Sequence, residues 1–184
     1  MMQEEFLLAG FGGQGVMFAG QLLAYAAMDE GMEVTWIPSY GPEMRGGTAH
    51  CFVVLSDSPI GSPIVRNPKV VVALNTPSFD RYEPLVAADG LLAYNASLIE
   101  RTSERSDVSR LAVPASELAD ELGNLRLMNV VMLGAMLAHW PVLSLDAIRH
   151  ALDKHIPEHR RDMLPLNYEA LKRGEIFAQS LVYQ

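Results

Sequence analysis

The sequence is poor in cysteine: Cys51 is the only one in 184 residues. A lone thiol closes no internal disulfide, ligates no iron–sulfur cluster by itself and completes no zinc-finger spacing, and a reducing cytoplasm is the expected setting. Positive charge is also short. Lys and Arg number 14 against 22 Asp and Glu, a net charge of −8, so the clustered cations that drive binding to a phosphate backbone are lacking and no nucleic-acid partner is expected. The longest apolar pattern, Leu125 to Trp140, falls short of the roughly 20 residues that cross a bilayer. It also contains Arg126 and Asn129. No basic, apolar, small-residue leader is recognisable, so no membrane association is expected. Internal repeats, low-complexity tracts and linkers are absent too, and residues 1–184 read as a single domain.

What is present is organised around residues 7–16, Leu-Leu-Ala-Gly-Phe-Gly-Gly-Gln-Gly-Val. An apolar run, Phe6 to Ala9, breaks into Gly10, Gly12, Gly13 and Gly15, and an Ala- and Leu-rich helical pattern follows. This is the pattern of a strand, a glycine turn and a helix N-terminus. Free N–H groups and the positive dipole end of such a helix attract anions, and glycines let a phosphate reach the backbone. Gly10, Gly12 and Gly15 also fit the G-x-G-x-x-G spacing of dinucleotide folds. Those folds place an acid at the end of the second strand to hold ribose hydroxyls. Here residues 33–39 read Glu-Val-Thr-Trp-Ile-Pro-Ser, with the acid at the wrong end. NAD is disfavoured, and the turn remains either a phosphate cradle or a structural bend.

Along the chain, Gln14 to Glu30 reads as a helix whose small face (Ala19, Gly20, Ala24, Ala27) suits close packing on a sheet, and Gly31 stops it. With strands at 4–9 and 33–37 this is a βαβ unit, hence a parallel sheet. Pro38 to Gly47 reads as a loop on the same edge as the glycine turn. It offers Arg45 as a cation for phosphate or carboxylate, Ser39, Tyr40 and Thr48 as hydroxyls, and Gly46 and Gly47. Further strands are expected at His50 to Leu55, Val70 to Leu74, Gly90 to Tyr94 and, as a short edge strand, 111–114. Cys51 reads as a small buried hydrophobe. Asn75 is either a polar contact on the ligand edge or a turn residue, and Ser78 is expected to cap a helix over Phe79 to Ala88. Helices are also expected at Ser116 to Leu122, Leu125 to Trp140, from a Ser144 cap to Lys154, and at Asn167 to Arg173 with a separate apolar tail, Ile176 to Tyr183. The helix over 125–140 is apolar all round, with Met128, Met132 and Met136 in one stripe, which suits a core or a subunit contact. Asn129 within it needs a hydrogen-bond partner. His150, His155 and His159 do not have the spacing of a zinc pair and read as hydrated surface. The fold class expected is α/β: a doubly wound, mainly parallel sheet with helices on both faces, Rossmann-like.

Gly10-Phe-Gly-Gly-Gln-Gly15 followed by Ser39-Tyr-Gly-Pro-Glu-Met-Arg-Gly-Gly-Thr48 resembles the gamma subunit of 2-oxoacid:ferredoxin oxidoreductases. The resemblance continues through Val53 to Asp57, Ile60 to Pro63, Asn95 to Leu98, Leu122 to Asn124 and Asn129 to Gly134, in order over most of the chain. The long segment from Ser39 looks most like the 2-oxoglutarate and branched-chain members, with 2-oxoglutarate the leading substrate. It implies a cytoplasmic, heteromeric enzyme with alpha, beta and in some forms delta subunits. That enzyme decarboxylates a 2-oxoacid on thiamine diphosphate, sends electrons through [4Fe–4S] clusters to ferredoxin and releases an acyl-CoA. Thiamine diphosphate, its Mg²⁺ and the clusters are implied on partner subunits, and this chain is implied to complete the active site and help hold coenzyme A.

On that reading Gly12, Gly13, Gln14 and Gly15 meet phosphate, Arg45 is the charge partner, and Tyr40 and Thr48 donate hydroxyls. Gly10, Ser39, Gly46, Gly47 and Asn75 complete the candidate set, which contains no catalytic residue and no metal ligand. The alternatives are an indolepyruvate:ferredoxin oxidoreductase subunit, a self-sufficient Rossmann-type nucleotide-binding enzyme, and an interaction protein whose Met helix docks a partner. The isolated chain is expected to be inactive, and a homodimer of it is open.

Overall fold

Continuous Val- and Leu-rich runs have no polar face to show to water, so they take the middle of a sheet covered on both sides. A computed structural model describes residues 2–40 and 48–181. In chain order it contains β1 (Gln3–Phe11), α1 (Val16–Asp29), β2 (Glu33–Tyr40), β3 (Thr48–Ser56), β4 (Val70–Ala73), α2 (Thr76–Tyr82) and β5 (Leu91–Asn95). These are followed by β6 (Ser109–Val113), α3 (Ala115–Glu121), α4 (Met128–His139), α5 (Leu145–His155) and α6 (Leu164–Leu181). The strands form one sheet in the order β2-β3-β1-β4-β5-β6. Pairing is parallel from β1 through β4 and β5 to β6, and every residue of β4 and β5 is buried.

The β1-α1-β2 unit departs from the simple expectation of neighbouring parallel strands. β1 and β2 do run the same way, but β3 lies between them and is antiparallel to both. The physical reason is the link over residues 41–47. A parallel crossover needs about a dozen residues or more, so a shorter link returns the chain in the opposite direction. The sheet is otherwise parallel, as expected.

Helices cover both faces unequally. One face of β1, with Phe6 and Leu8, packs on α1, α3, α4, α5 and α6, and the opposite face, with Leu7 and Ala9, packs on Phe79 and Tyr82 of α2 and on Ile99 and Val108. The small face of α1 does bring the helix close to the sheet. A Cβ on Gly20 would lie 2.4 Å from Cys51 Sγ and 3.3 Å from Trp36 Nε1. Cys51 is fully buried beneath it, as expected, and burial pushes its thiol up to about 12.

The Met helix belongs to the core. Residues from Asn129 to Leu137 of α4 are all buried, because the helix is clamped between sheet and α6. The two helices touch through backbone: a Cβ on Gly134 would lie 2.1 Å from the Leu171 carbonyl oxygen, and one on Gly174 2.0 Å from that of Val131. This explains a difference from expectation at the C-terminus. In place of a short helix and a separate tail, α6 is one helix of 18 residues. Gly174 reads as a break in isolation, but its missing side chain is what lets α6 cross α4. Two other details differ. The helix expected over Phe79 to Ala88 is α2 followed by a 3-10 turn at Glu83–Leu85, and its cap is Asn75, whose Oδ1 accepts from Ser78 N at 2.9 Å. Ser144 does cap α5, accepting from Ala147 N at 3.1 Å.

At its far end α5 is tied to α1. Asp29 accepts hydrogen bonds from Lys154 Nζ at 2.5 Å and from His155 Nε2 at 2.9 Å, and the His155 ring stacks on Tyr25 at 4.1 Å. The Lys154 hydrogen bond is the main cause that holds the Asp29 carboxyl below its ordinary value near 3.8; desolvation opposes it and His155 adds to it.

Two outcomes are expected. Gly174→Ala gains helix propensity but forces α6 off α4, and a net loss of about 1–3 kcal/mol in chemical denaturation is expected; unchanged stability would mean that the helices part freely. A carboxylate with a depressed folded pKa stabilises the fold above its unfolded value and loses that contribution as the pH falls through the folded one. Asp29→Asn is therefore expected to lower the melting temperature at neutral pH, with the gap to wild type closing as the pH drops below 3.8.

Candidate functional site

Four strand ends meet at one edge of the sheet. β1 ends at Phe11, which pairs with Thr48 at the start of β3, and β2 ends at Tyr40, which pairs with Ala49. β4 runs parallel to β1, Ala9 facing Ala73, and leads into Asn75. The edge therefore gathers Gly10, Gly12, Gly13, Gln14, Gly15, Ser39, Tyr40, Thr48 and Asn75. Arg45, Gly46 and Gly47 lie outside the described residues.

The glycine turn closes with Gln14 N donating to the Phe11 carbonyl at 3.1 Å. Gly13 takes φ +97° and Gly15 φ +75°, backbone conformations that side chains other than glycine's enter at a cost. Gly15 is the N-cap of α1, and among the described residues no side chain caps that helix. Its first N–H groups are thus left to solvent or to a ligand. Gly12 and Gly13 are exposed, and nothing stands within 4 Å of where a Gly13 Cβ would be. Among the described residues, nothing covers this stretch of backbone.

The other members of the turn serve the fold. Gln14 turns its side chain inward: its Oε1 accepts from Phe11 N at 2.7 Å and from Asn75 Nδ2 at 3.0 Å, and its Nε2 donates to the Leu74 carbonyl at 3.3 Å. Its side chain is committed, so only its backbone is available to a ligand. Asn75 is 4% exposed and divided between Gln14 and the cap of α2. Gly10 is needed because a Cβ there would sit 2.7 Å from Gln14 Oε1. On the other side of the turn, Asn129 of α4 finds the partner its position demands, donating from Nδ2 to the Gly15 carbonyl at 2.9 Å; its Oδ1 is buried without one. A Cβ on Gly15 would lie 2.3 Å from that same nitrogen.

One further edge residue was not a site candidate. Asn95, fully buried at the end of β5, accepts from Ala115 N at 3.1 Å and from Ser116 N at 3.3 Å, starting α3 as Asn75 starts α2. An Asn that closes an apolar buried strand is the shared signal, although the helix that Asn95 starts comes only after β6. His50, two residues into β3, packs against Phe52 and Tyr82. Burial, with the Arg81 charge adding to it, holds its imidazole below the ordinary value near 6.5 and so neutral at pH 7. Among the described residues, none of the side chains that bond around the turn is titratable. The arrangement offers backbone N–H groups to an anion.

Residues 5–175 match the family model described as pyruvate ferredoxin/flavodoxin oxidoreductase. The chain belongs to this family. It is 47% identical over 173 residues to the ketoisovalerate oxidoreductase subunit VorA of Methanothermobacter thermautotrophicus, a match covering 94% of this chain and 36% of that protein. It is 32% identical over 183 residues to the 2-oxoglutarate synthase subunit KorC of Methanocaldococcus jannaschii, covering 98% of this chain and 96% of that one. The chain thus spans about a third of VorA but nearly all of KorC. Its structure superposes on the keto/oxoacid ferredoxin oxidoreductase gamma subunit of Geobacter sulfurreducens with a TM-score of 0.85 at 27% identity, over 98% of both chains. In fold and sequence it is similar to the gamma subunit of these oxidoreductases.

The inward bonding of Gln14 sets an expectation. Gln14→Ala strips a partner from Phe11 N and from the Asn75 amide and is expected to cost about 1–3 kcal/mol, with faster amide exchange at Phe11. Native-like exchange at Phe11 in the variant would mean that the turn closes without the amide.

Proposed function

We propose that this chain acts as the gamma subunit of a cytoplasmic 2-oxoacid:ferredoxin oxidoreductase and that its glycine turn helps hold coenzyme A. In the balanced reaction a 2-oxoacid, coenzyme A and two oxidised ferredoxins give an acyl-CoA, carbon dioxide, one proton and two reduced ferredoxins. The observation that carries the coenzyme A reading is the uncapped start of α1 beside exposed Gly12 and Gly13, an arrangement that fits a phosphate group. Gly10 and Gly15 keep the turn in shape, Gln14 presents its backbone, and Asn75 steadies Gln14. Ser39, Tyr40 and Thr48 are hydroxyl donors in this reading, and Arg45, with Gly46 and Gly47 beside it, supplies positive charge. The chain's part is to bind and orient.

Thiamine diphosphate supplies the decarboxylation chemistry, and in this reading it sits with Mg²⁺ and the [4Fe–4S] clusters on alpha, beta and delta partners. One cysteine in the whole chain cannot supply the four thiolates of such a cluster. Ferredoxin meets the assembled complex. The first substrate proposed is 2-oxoglutarate, which the likeness to KorC over nearly its whole length supports. A branched-chain 2-oxoacid is the second, favoured by the higher identity to VorA.

The test is an anaerobic purification of the tagged chain with whatever accompanies it, followed by viologen reduction with 2-oxoglutarate, ketoisovalerate and indolepyruvate in the presence of coenzyme A. Brown partner chains and turnover on one of the first two are expected; a colourless lone chain without turnover sinks the subunit reading. In the assembled enzyme Gly12→Asp and Arg45→Ala are expected to raise the KM for coenzyme A about tenfold, the worth of one charge-assisted contact. An unchanged KM in both variants removes coenzyme A from this turn.

A further inference from the structure

A cleft of about 680 Å³ opens between α1, the C-terminal half of α5, the 3-10 turn at Glu158–Met163 and residues 124–127. None of the glycine-turn residues lines it. Its volume falls within the range of about 300–1,000 Å³ typical of small-molecule sites. One wall is a helical stripe of α1 spaced at three and four, in which Phe18 and Tyr25 supply aromatic surface and Leu22 an apolar floor.

The opposite walls are basic. Among the described residues, eight lysines and arginines hold a carboxylate, including Arg101, Arg105 and Arg173. Arg126 and Arg160 hold none, and both line this cleft, together with His155 and His159. In a chain of net charge −8, two uncompensated guanidinium groups in one concavity are unexpected. Asp162 is the only acid in the lining. Asp29, which lies behind His155, is neutralised by Lys154 and leaves the cleft positive. The Asp29 bond and the 4.1 Å stack on Tyr25 also fix the His155 ring, with the two planes 10° apart, so this wall is set before any ligand arrives.

We propose that this cleft binds a nucleotide, with its base on the Phe18–Tyr25 stripe and its phosphate between Arg126 and Arg160. Aromatic surface and two guanidinium groups lining one cleft match a planar ring joined to a phosphate, and neither half alone uses both. Two sources share this chemistry: a free mononucleotide, and the nucleotide end of a larger cofactor. The proposal goes beyond the glycine-turn reading and does not depend on it.

The test is calorimetric titration of the full chain, in the assembly in which it purifies, with AMP, ADP, coenzyme A, adenosine and inorganic phosphate. Saturable binding of ADP or coenzyme A is expected, tighter than that of adenosine or phosphate. Arg126→Gln with Arg160→Gln is expected to weaken it tenfold or more, while the ligand-free melting temperature stays put because neither side chain has a partner to lose. Phe18→Leu is expected to weaken AMP but leave inorganic phosphate unchanged. If coenzyme A competes with ADP and shares its dependence on the two arginines, the source is the larger cofactor. If only ADP or AMP depends on them, it is the free nucleotide. Absence of saturable binding by both ADP and coenzyme A, or equal affinity in wild type and the double variant, overturns the proposal. So does a double variant that releases a partner chain without altering nucleotide affinity. Failure of the coenzyme A reading would appear at Gly12→Asp and leave these arginine effects in place.

Discussion

The sheet edge at the glycine turn depends on one side-chain amide. Gln14 bonds back to the end of its own strand, across to the end of β4 and to the Asn75 amide, and Asn75 in turn starts α2. On the far side of the turn Asn129 fastens the Gly15 carbonyl to α4. A continuous line of hydrogen bonds thus runs from one helical layer, through the turn and the sheet edge, to the other. In such a network the members hold one another in place, and the loss of one leaves others buried and unpaired. Gly10 and Gly15 are required by this network as much as by any ligand, since the Gln14 and Asn129 side chains occupy the space where their Cβ atoms would stand. Gly12 and Gly13 are exposed and stand outside this network.

Much of the fold was legible because its signals are local. The small face of the first helix, the Ser144 cap, the apolar strands and the all-round apolar Met helix each follow from a few residues read together. What was not legible depends on distant partners. A β-rich run such as 48–56 carries no mark of its direction, and only the short link before it turns β3 against its neighbours. Gly174 breaks the helical pattern when read alone, yet its position against Val131 keeps α6 whole. Ser78 looked like a cap and is the donor, because Asn75 at the strand end comes first. At the site, the glycines and the edge they occupy were visible in the motif. The inward turn of Gln14 was not, since a glutamine among glycines reads as a solvent-facing polar group. The basic cleft was equally hidden, because Arg126, His155 and Arg160 come from three separate segments.

The distribution of chemistry fits a subunit that shapes a site more than it reacts. Around the turn lie amides and bare backbone. A charge pairing lies at the other end of α1, where Asp29, Lys154 and His155 hold two helices together. The two ends of this helix of 14 residues thus differ: its N-terminus starts at Gly15 without a side-chain cap among the described residues, and its C-terminus is fastened.

The position of Cys51 has a practical side. With its thiol pushed up to about 12, the ionised form at pH 8 is on the order of one molecule in ten thousand, and Gly20 of α1 closes the way to it. Thiol-directed alkylating reagents therefore find no ready thiolate in the folded chain. A cysteine introduced anywhere on the surface becomes the single site that a maleimide dye or spin label attaches to, without first removing the native one.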